Sequence, residues 1–216
     1  MKTKLFFSIC AAFFLIWQTA EGQGYYNSKS EDYPKNEVHL EYGVVTTQSV
    51  AIRGRQLLSD ISSAFLNAFI QELGYEGIKY TRDFRGTRGA VGLGYSRYLS
   101  PRWTVGATVN YHGFNTAINF DNGDQAFIKD RFYTFLLDTD YRWVNQPGVQ
   151  LYSGLCLGAT YWEYFYEKPS LTVSNHTFFN MQVTPIGIRV GNQIGGFFEL
   201  GLGSNGLIVA GISGKF

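Results

Sequence analysis

The sequence predicts an all-β fold, an eight-stranded antiparallel transmembrane β-barrel with one amphipathic helix in its first external loop. Three observations predict it: the composition, stretches of period-two alternation about as long as a tilted bilayer-crossing strand, and connections that are short at one end and long at the other. The 216 residues include 15 Tyr, 18 Phe and 25 Gly, and charged residues make up 16%, a mixture rich in strand formers and poor in helix formers. The length suits one domain. Lys+Arg 18 stand against Asp+Glu 17, a net charge of +1, so the basic excess needed to neutralise a phosphate backbone is absent and nucleic acid is not an expected partner.

Residues 1–22 read as a signal peptide. Lys2 and Lys4 precede the apolar run Leu5 to Trp17, and Ala20-Glu21-Gly22 offers a small-x-small cleavage site. The run is shorter than the roughly 20 residues a spanning helix needs. Cys10 sits inside it, which disfavours a lipid attachment there. Removal of the signal leaves Cys156 as the remaining cysteine, so neither an intrachain disulfide nor a thiolate metal cluster is expected. Residues 23–36 form a polar lead with Pro34, and the barrel domain is expected over 37–216. No later stretch approaches 18 uninterrupted apolar residues, so a membrane location requires strands rather than helices.

The expected strands follow in order. Val38 to Thr47 is the first and Gly89 to Tyr98 the second, where Val91, Leu93 and Tyr95 oppose Gly92, Gly94 and Ser96. In the third, Arg102 to Phe114, Trp103, Val105, Ala107, Val109 and Tyr111 alternate with Thr104, Gly106, Thr108, Asn110 and His112. In the fourth, Arg131 to Trp143, Tyr133, Phe135 and Leu137 oppose Thr134, Asp138, Asp140 and Arg142. Val149 to Phe165, Phe178 to Gly191, Gly195 to Gly203 and Leu207 to Phe216 complete the eight. Parity slips at Pro185, where a β-bulge would restore the facing and tolerate the missing N–H.

Alternation alone fits a soluble sandwich or lipocalin-like barrel equally well, because it does not say which face is wet. The connections favour the membrane. Ser100-Pro101, Asn145 to Gly148 and Asn192-Gln193 are short, whereas Ser49 to Arg85, Asn115 to Asp130 and Glu167 to Thr177 are long; only the turn at Ser204-Asn205-Gly206 is tight on that side. Aromatic residues cluster near strand ends, as interfacial girdles do. Within the first long connection, Leu57, Leu58, Ile61, Ala64, Phe65, Ala68, Phe69 and Leu73 recur at helical steps, and the expected helix 57–73 reads as packed on neighbouring loops, with an interfacial helix or a lid as alternatives.

Several stretches resemble a known family. These are Tyr141-Arg142-Trp143, Leu151 to Gly154 through Leu157-Gly158, Gln182 to Gly187, Gly196 to Gly203 and the closing strand Leu207 to Phe216. They are similar to the small eight-stranded outer-membrane barrels of Gram-negative bacteria, the group called "outer membrane protein beta-barrel domain", with OmpA-, OmpX- and OmpW-like barrels as its type. The resemblance covers roughly Glu37 onward. It implies insertion by the outer-membrane assembly machinery, read from the last strand with its terminal Phe216; Gly214 stands where a second aromatic is often found. It implies no catalytic residue.

Facing places His39, Glu41, Arg88, His112, Asp138, Asp140, Arg142, Arg189 and Glu199 toward the interior. A lumen of eight strands is just wide enough for side chains to fill. Glu41, Arg88, Asp138, Asp140, Arg142, Arg189 and Glu199 are therefore expected to form a structural network of buried charges, because an unpaired charge there is costly. A proton or ion pathway is the sharper alternative. Lipid A chemistry would need a nucleophile, a base and an orienting acid within hydrogen-bond reach; His112 and His176 lie where such a site would sit, but neither carries a local partner motif. The expected protein is a monomeric, non-enzymatic outer-membrane barrel without cofactor or metal, surrounded by outer-membrane lipids and lipopolysaccharide. Its role is structural or one of surface recognition; a narrow channel is the alternative.

Overall fold

The computed structural model describes residues 33–72, 80–86, 89–121, 123–168 and 170–216. The signal peptide, most of the polar lead and Arg88 lie outside the described residues. Nine strands and one helix follow in the order β1 (Asn36–Val44), α1 (Thr47–Glu72), β2 (Tyr80–Gly86), β3 (Gly89–Tyr98), β4 (Trp103–Phe120), β5 (Gln125–Gln146), β6 (Val149–Lys168), β7 (Ser170–Gly191), β8 (Ile194–Gly203) and β9 (Ile208–Lys215). All pairings are antiparallel. The order β4-β3-β1-β9-β8-β7-β6-β5 is closed by pairing of β5 with β4, which gives an eight-stranded barrel. β2 adds no ninth stave: it pairs with the same β4 above the segment that β3 occupies, so β2 and β3 act as two parts of one stave.

Where all eight staves are present, closure removes the strand edges from the ring, which is what lets a sheet cross a bilayer without exposed N–H and C=O groups. Glycine makes the tight lumen possible. A Cβ on Gly92 would lie 1.8 Å from Asn110 Oδ1, and one on Gly187 would lie 2.5 Å from the Tyr152 ring. The bulge expected at Pro185 is present: β7 shifts register against β8 between Val183 and Ile186, and opposite it β6 shifts between Tyr152 and Gly154.

Two expectations about connections fail. Asn115 to Asp130 and Glu167 to Thr177 are not long loops. They are strand, so that β4, β5, β6 and β7 run for 18, 22, 20 and 22 residues. Their outward positions carry polar residues such as Asn115 and Lys129, and polar residues at outward positions look like loop composition in a sequence. β8, β9, β1 and β3 are only 10, 8, 9 and 10 residues long. The barrel therefore has a tall wall and a low wall.

The helix also differs from expectation. It begins at Thr47, ten positions before residue 57. Thr46 is its N-cap, its Oγ1 accepting the Ser49 amide at 3.1 Å, and Val45 takes a left-handed φ of 57° to turn the chain out of β1. One side of α1 faces the tall wall, where Ile52 is buried against Phe114 and Phe132 and Gln56 Nε2 donates to Thr116 Oγ1 at 3.0 Å. Its apolar stripe is not packed: Leu57, Leu58, Ile61 and Phe65 are all exposed.

Candidate functional site

The interior is a stack of polar side chains in the order in which inward parity delivers them. Glu37 is its hub. Its carboxylate pairs with Arg142 Nη2 at 3.2 Å and with Arg189 Nε at 3.1 Å, and it accepts the Tyr98 hydroxyl at 2.7 Å. The Arg142 guanidinium also donates to Thr104 at 3.0 Å and lies 4.5 Å from the Tyr98 ring and 5.5 Å from that of Tyr152. Arg189, 2% exposed, donates to Ser213 and to the carbonyls of Gly191 and Asn192, which ties the short turn after β7 to the plug. A carboxylate shared by two guanidiniums is well suited to such a site, since the planar donors satisfy several acceptors at once.

The other acids of the expected network are held differently. Asp138 accepts from Ser96 at 3.3 Å and Thr108 at 3.2 Å, Asp140 from Thr104 at 3.2 Å, and Glu199 from Tyr152 at 2.6 Å and Thr184 at 3.4 Å. Glu41 is buried, with Oε1 lacking a hydrogen-bond partner. Among the described residues, hydroxyl donors, rather than direct ion pairs, hold Asp138, Asp140 and Glu199, with the Arg142 charge acting on Asp140 from nearby. The free space among them is about 50 Å³.

Above this plug, Asn110 Nδ2 donates to Asn205 Oδ1 at 2.8 Å, and Gln182 holds the β8–β9 turn through the Gly206 carbonyl and the Asn205 amide. His112 Nδ1 lies 3.0 Å from Thr46 Oγ1, so this histidine seats the helix cap. Then the interior changes character. Ile52, Phe114 and Phe132 form a buried apolar cluster with Trp162 stacked on Phe132 at 5.6 Å. The Trp162 indole donates to Asp130 at 2.9 Å, and Arg55 lies over its ring at 5.4 Å.

The exterior reverses in step. Beside the polar plug the outward face is apolar, with Leu93 60%, Leu137 60% and Ile212 61% exposed. Trp103 packs on Tyr141 at 5.0 Å at one margin of this band, and Tyr111, Tyr133 and Tyr161 form a contiguous row at the other, with centroids 5.4 and 6.4 Å apart. The next outward row on the tall wall is Gly113, Arg131 and Glu163, in register across β4, β5 and β6.

The residues expected to face inward do so where they are described. Inward parity also carried three members that the candidate network left out: Glu37, two positions before His39; Tyr98, two after Ser96; and Tyr152. The signal for Glu37 was present in the pattern, but starting the first strand at Val38 hid it.

No family model matches this chain, and no curated relative matches it. Among solved structures, the chain is similar to Ail, the attachment invasion locus protein of Yersinia pestis, in its crystal structure with the heparin analogue sucrose octasulfate. That match has 9% identity and a TM-score of 0.42, and it covers 84% of this chain and 98% of the other.

Proposed function

We propose that this chain is an integral outer-membrane β-barrel with a closed, non-conducting lumen, whose projecting end has a structural or surface-recognition role rather than a catalytic one. One observation carries the reading: the barrel is inside-out. Buried Glu37, Arg142, Arg189 and Gln182 fill its interior, while Leu93, Leu137 and Ile212 stand exposed around it. A soluble lipocalin-like barrel needs the opposite arrangement, since a continuous exposed apolar belt in water is an aggregation liability. A belt bounded by aromatic rows, facing outward from a polar interior, matches what a bilayer requires of a barrel.

The plug supports a closed lumen, since a space of only about 50 Å³ among hydrogen-bonded side chains favours a filled barrel over a channel. The surrounding lipids, lipopolysaccharide among them, are the partners proposed for the belt. Recovery from the outer-membrane fraction, with a gel mobility that shifts on heating, is the expected result; recovery as a soluble periplasmic protein overturns the reading. In planar bilayers the folded protein should give no steady current, and stable unitary conductance would replace the closed lumen with the channel alternative.

A further inference from the structure

We propose that the barrel binds a fatty acid, one long hydrocarbon chain with an anionic head, in an apolar cavity that crosses its own wall between β7 and the start of α1. The proposal rests on the outer-membrane reading, because it draws the ligand from the lipid phase.

The opening is a consequence of unequal strand lengths. β7 continues to Ser170, but β8 ends at Gly203 and pairs with β7 only from Gln182 downward. The hairpin that follows turns back at once, with the Ser204 amide donating to the Met181 carbonyl at 3.1 Å. From Asn180 upward this edge of β7 has no strand partner among the described residues. The described residues leave the gap open: a cavity of about 690 Å³ lies there, in the range of small-ligand pockets.

Its lining shows that it passes through the wall. Phe178 and Asn180 share the inward parity of Gln182, whereas Met181 and Val183 have the outward parity, and all but Gln182 line the cavity. Leu202, on the outward face of β8, lines it as well and is 65% exposed. On the inner side it reaches Phe132 and Trp162, and Ala51 and Arg55 of α1 form the opposite bank.

This order of surfaces selects the occupant. Met181, Val183 and Leu202 belong to the lipid-facing belt, so the cavity floor is continuous with the hydrocarbon and a chain enters without crossing water. The polar end lies near the interfacial level, since Tyr161 of the outer tyrosine row pairs with Thr177. A cation stands there, Arg55, with its guanidinium carbon 5.4 Å from the Trp162 ring and 5.6 Å from that of Tyr164. Apolar floor and cationic rim, spaced along the membrane normal, match an acyl chain whose carboxylate remains at the interface. The nearby carboxylate, Asp130, accepts the Trp162 indole N–H and lies within reach of the Arg55 charge, but it is not part of the lining.

The test uses the full chain folded in dodecyl maltoside micelles, with the heat-shifted gel mobility verified for every variant. Dibromostearate, whose bromines quench indole fluorescence on contact, is titrated in. The expected result is a saturable component of quenching that palmitate reverses and that Trp162→Phe removes, distinct from the non-saturating quenching of the outward-facing Trp103 and Trp143. Ala51→Phe fills the helix bank from an exposed position without adding an indole and should weaken binding about tenfold or more. Arg55→Glu should weaken the acid several-fold while leaving competition by hexadecanol unchanged. Absence of the saturable component, unchanged affinity in Ala51→Phe, or displacement by dioleoylphosphatidylglycerol but not by palmitate overturns the proposal. A negative result in protein that keeps its heat shift removes this inference alone; loss of the heat shift in the unmodified chain removes the outer-membrane reading too.

Discussion

The low wall of β8, β9, β1 and β3 and the tall wall of β4 to β7 are made from one alternating pattern and end up in different surroundings. Strands of 8 to 10 residues are about what a tilted strand needs to cross a bilayer, and the low wall stops there. The tall wall continues for roughly twice that length, and on the way both its faces change sign. Below the row of Tyr111, Tyr133 and Tyr161, the outside is apolar and the inside is the Glu37 network; above it, Arg131 and Glu163 face out while Phe114, Phe132 and Ile52 pack within. An alternating strand has no preferred wet face of its own. The solvent on each side chooses, and the tyrosine row marks where the choice reverses.

The largest effect is expected where the low wall meets the plug. Glu37→Ala leaves Arg142 and Arg189, both buried, without their shared carboxylate, and removing one partner of a buried ion pair costs about 3–5 kcal/mol. Urea unfolding followed by tryptophan fluorescence in lipid vesicles should show it; a loss under about 1 kcal/mol would mean that the network is not what holds the plug. Next in size is a charge placed on the belt. Leu137→Arg should cost about 2–4 kcal/mol in vesicles, and an innocuous outcome there would break the assignment of the apolar face to lipid.

A smaller effect concerns the junction between the two walls. Thr46→Ala removes the cap of α1 and its contact with His112, and should cost about 1 kcal/mol, read as faster hydrogen exchange in the first turns of the helix while barrel amides stay protected. The smallest is Asp138→Asn. Its carboxyl is held by the Ser96 and Thr108 hydroxyls rather than by a direct ion pair, so a neutral amide of the same shape should leave the unfolding midpoint nearly unchanged. The contrast with Glu37→Ala is the informative quantity: if both variants behaved alike, the division of the plug into ion-paired and hydroxyl-held carboxyls would collapse.

Much of this was legible in the chain. Period-two alternation in β3, β4 and β5 gave the facing of Asp138, Asp140 and Arg142, and the parity slip at Pro185 gave the bulge, because both depend only on the two-residue repeat of an extended backbone. Glu37 could have been read the same way from the parity of His39 and Glu41. The partner choice could not. That Arg142 and Arg189 converge on Glu37, while Asp138 and Asp140 turn to hydroxyls, depends on register around a closed ring, where residues 105 positions apart become neighbours. The strand extensions were missed because polar residues such as Asn115 and Lys129 look like loop residues until the pairing of β4 with β5 is seen.

The sequence by itself determined that this is a barrel of eight staves, because alternation, turn placement and strand count are local properties of the chain. It also determined which side chains point inward. Tertiary structure alone decided the unequal height of the walls, the exposed apolar stripe of α1 and the gap beside β7. Each depends on where one strand stops relative to a neighbour far away in sequence, and that is set by register and closure rather than by any pattern within a strand.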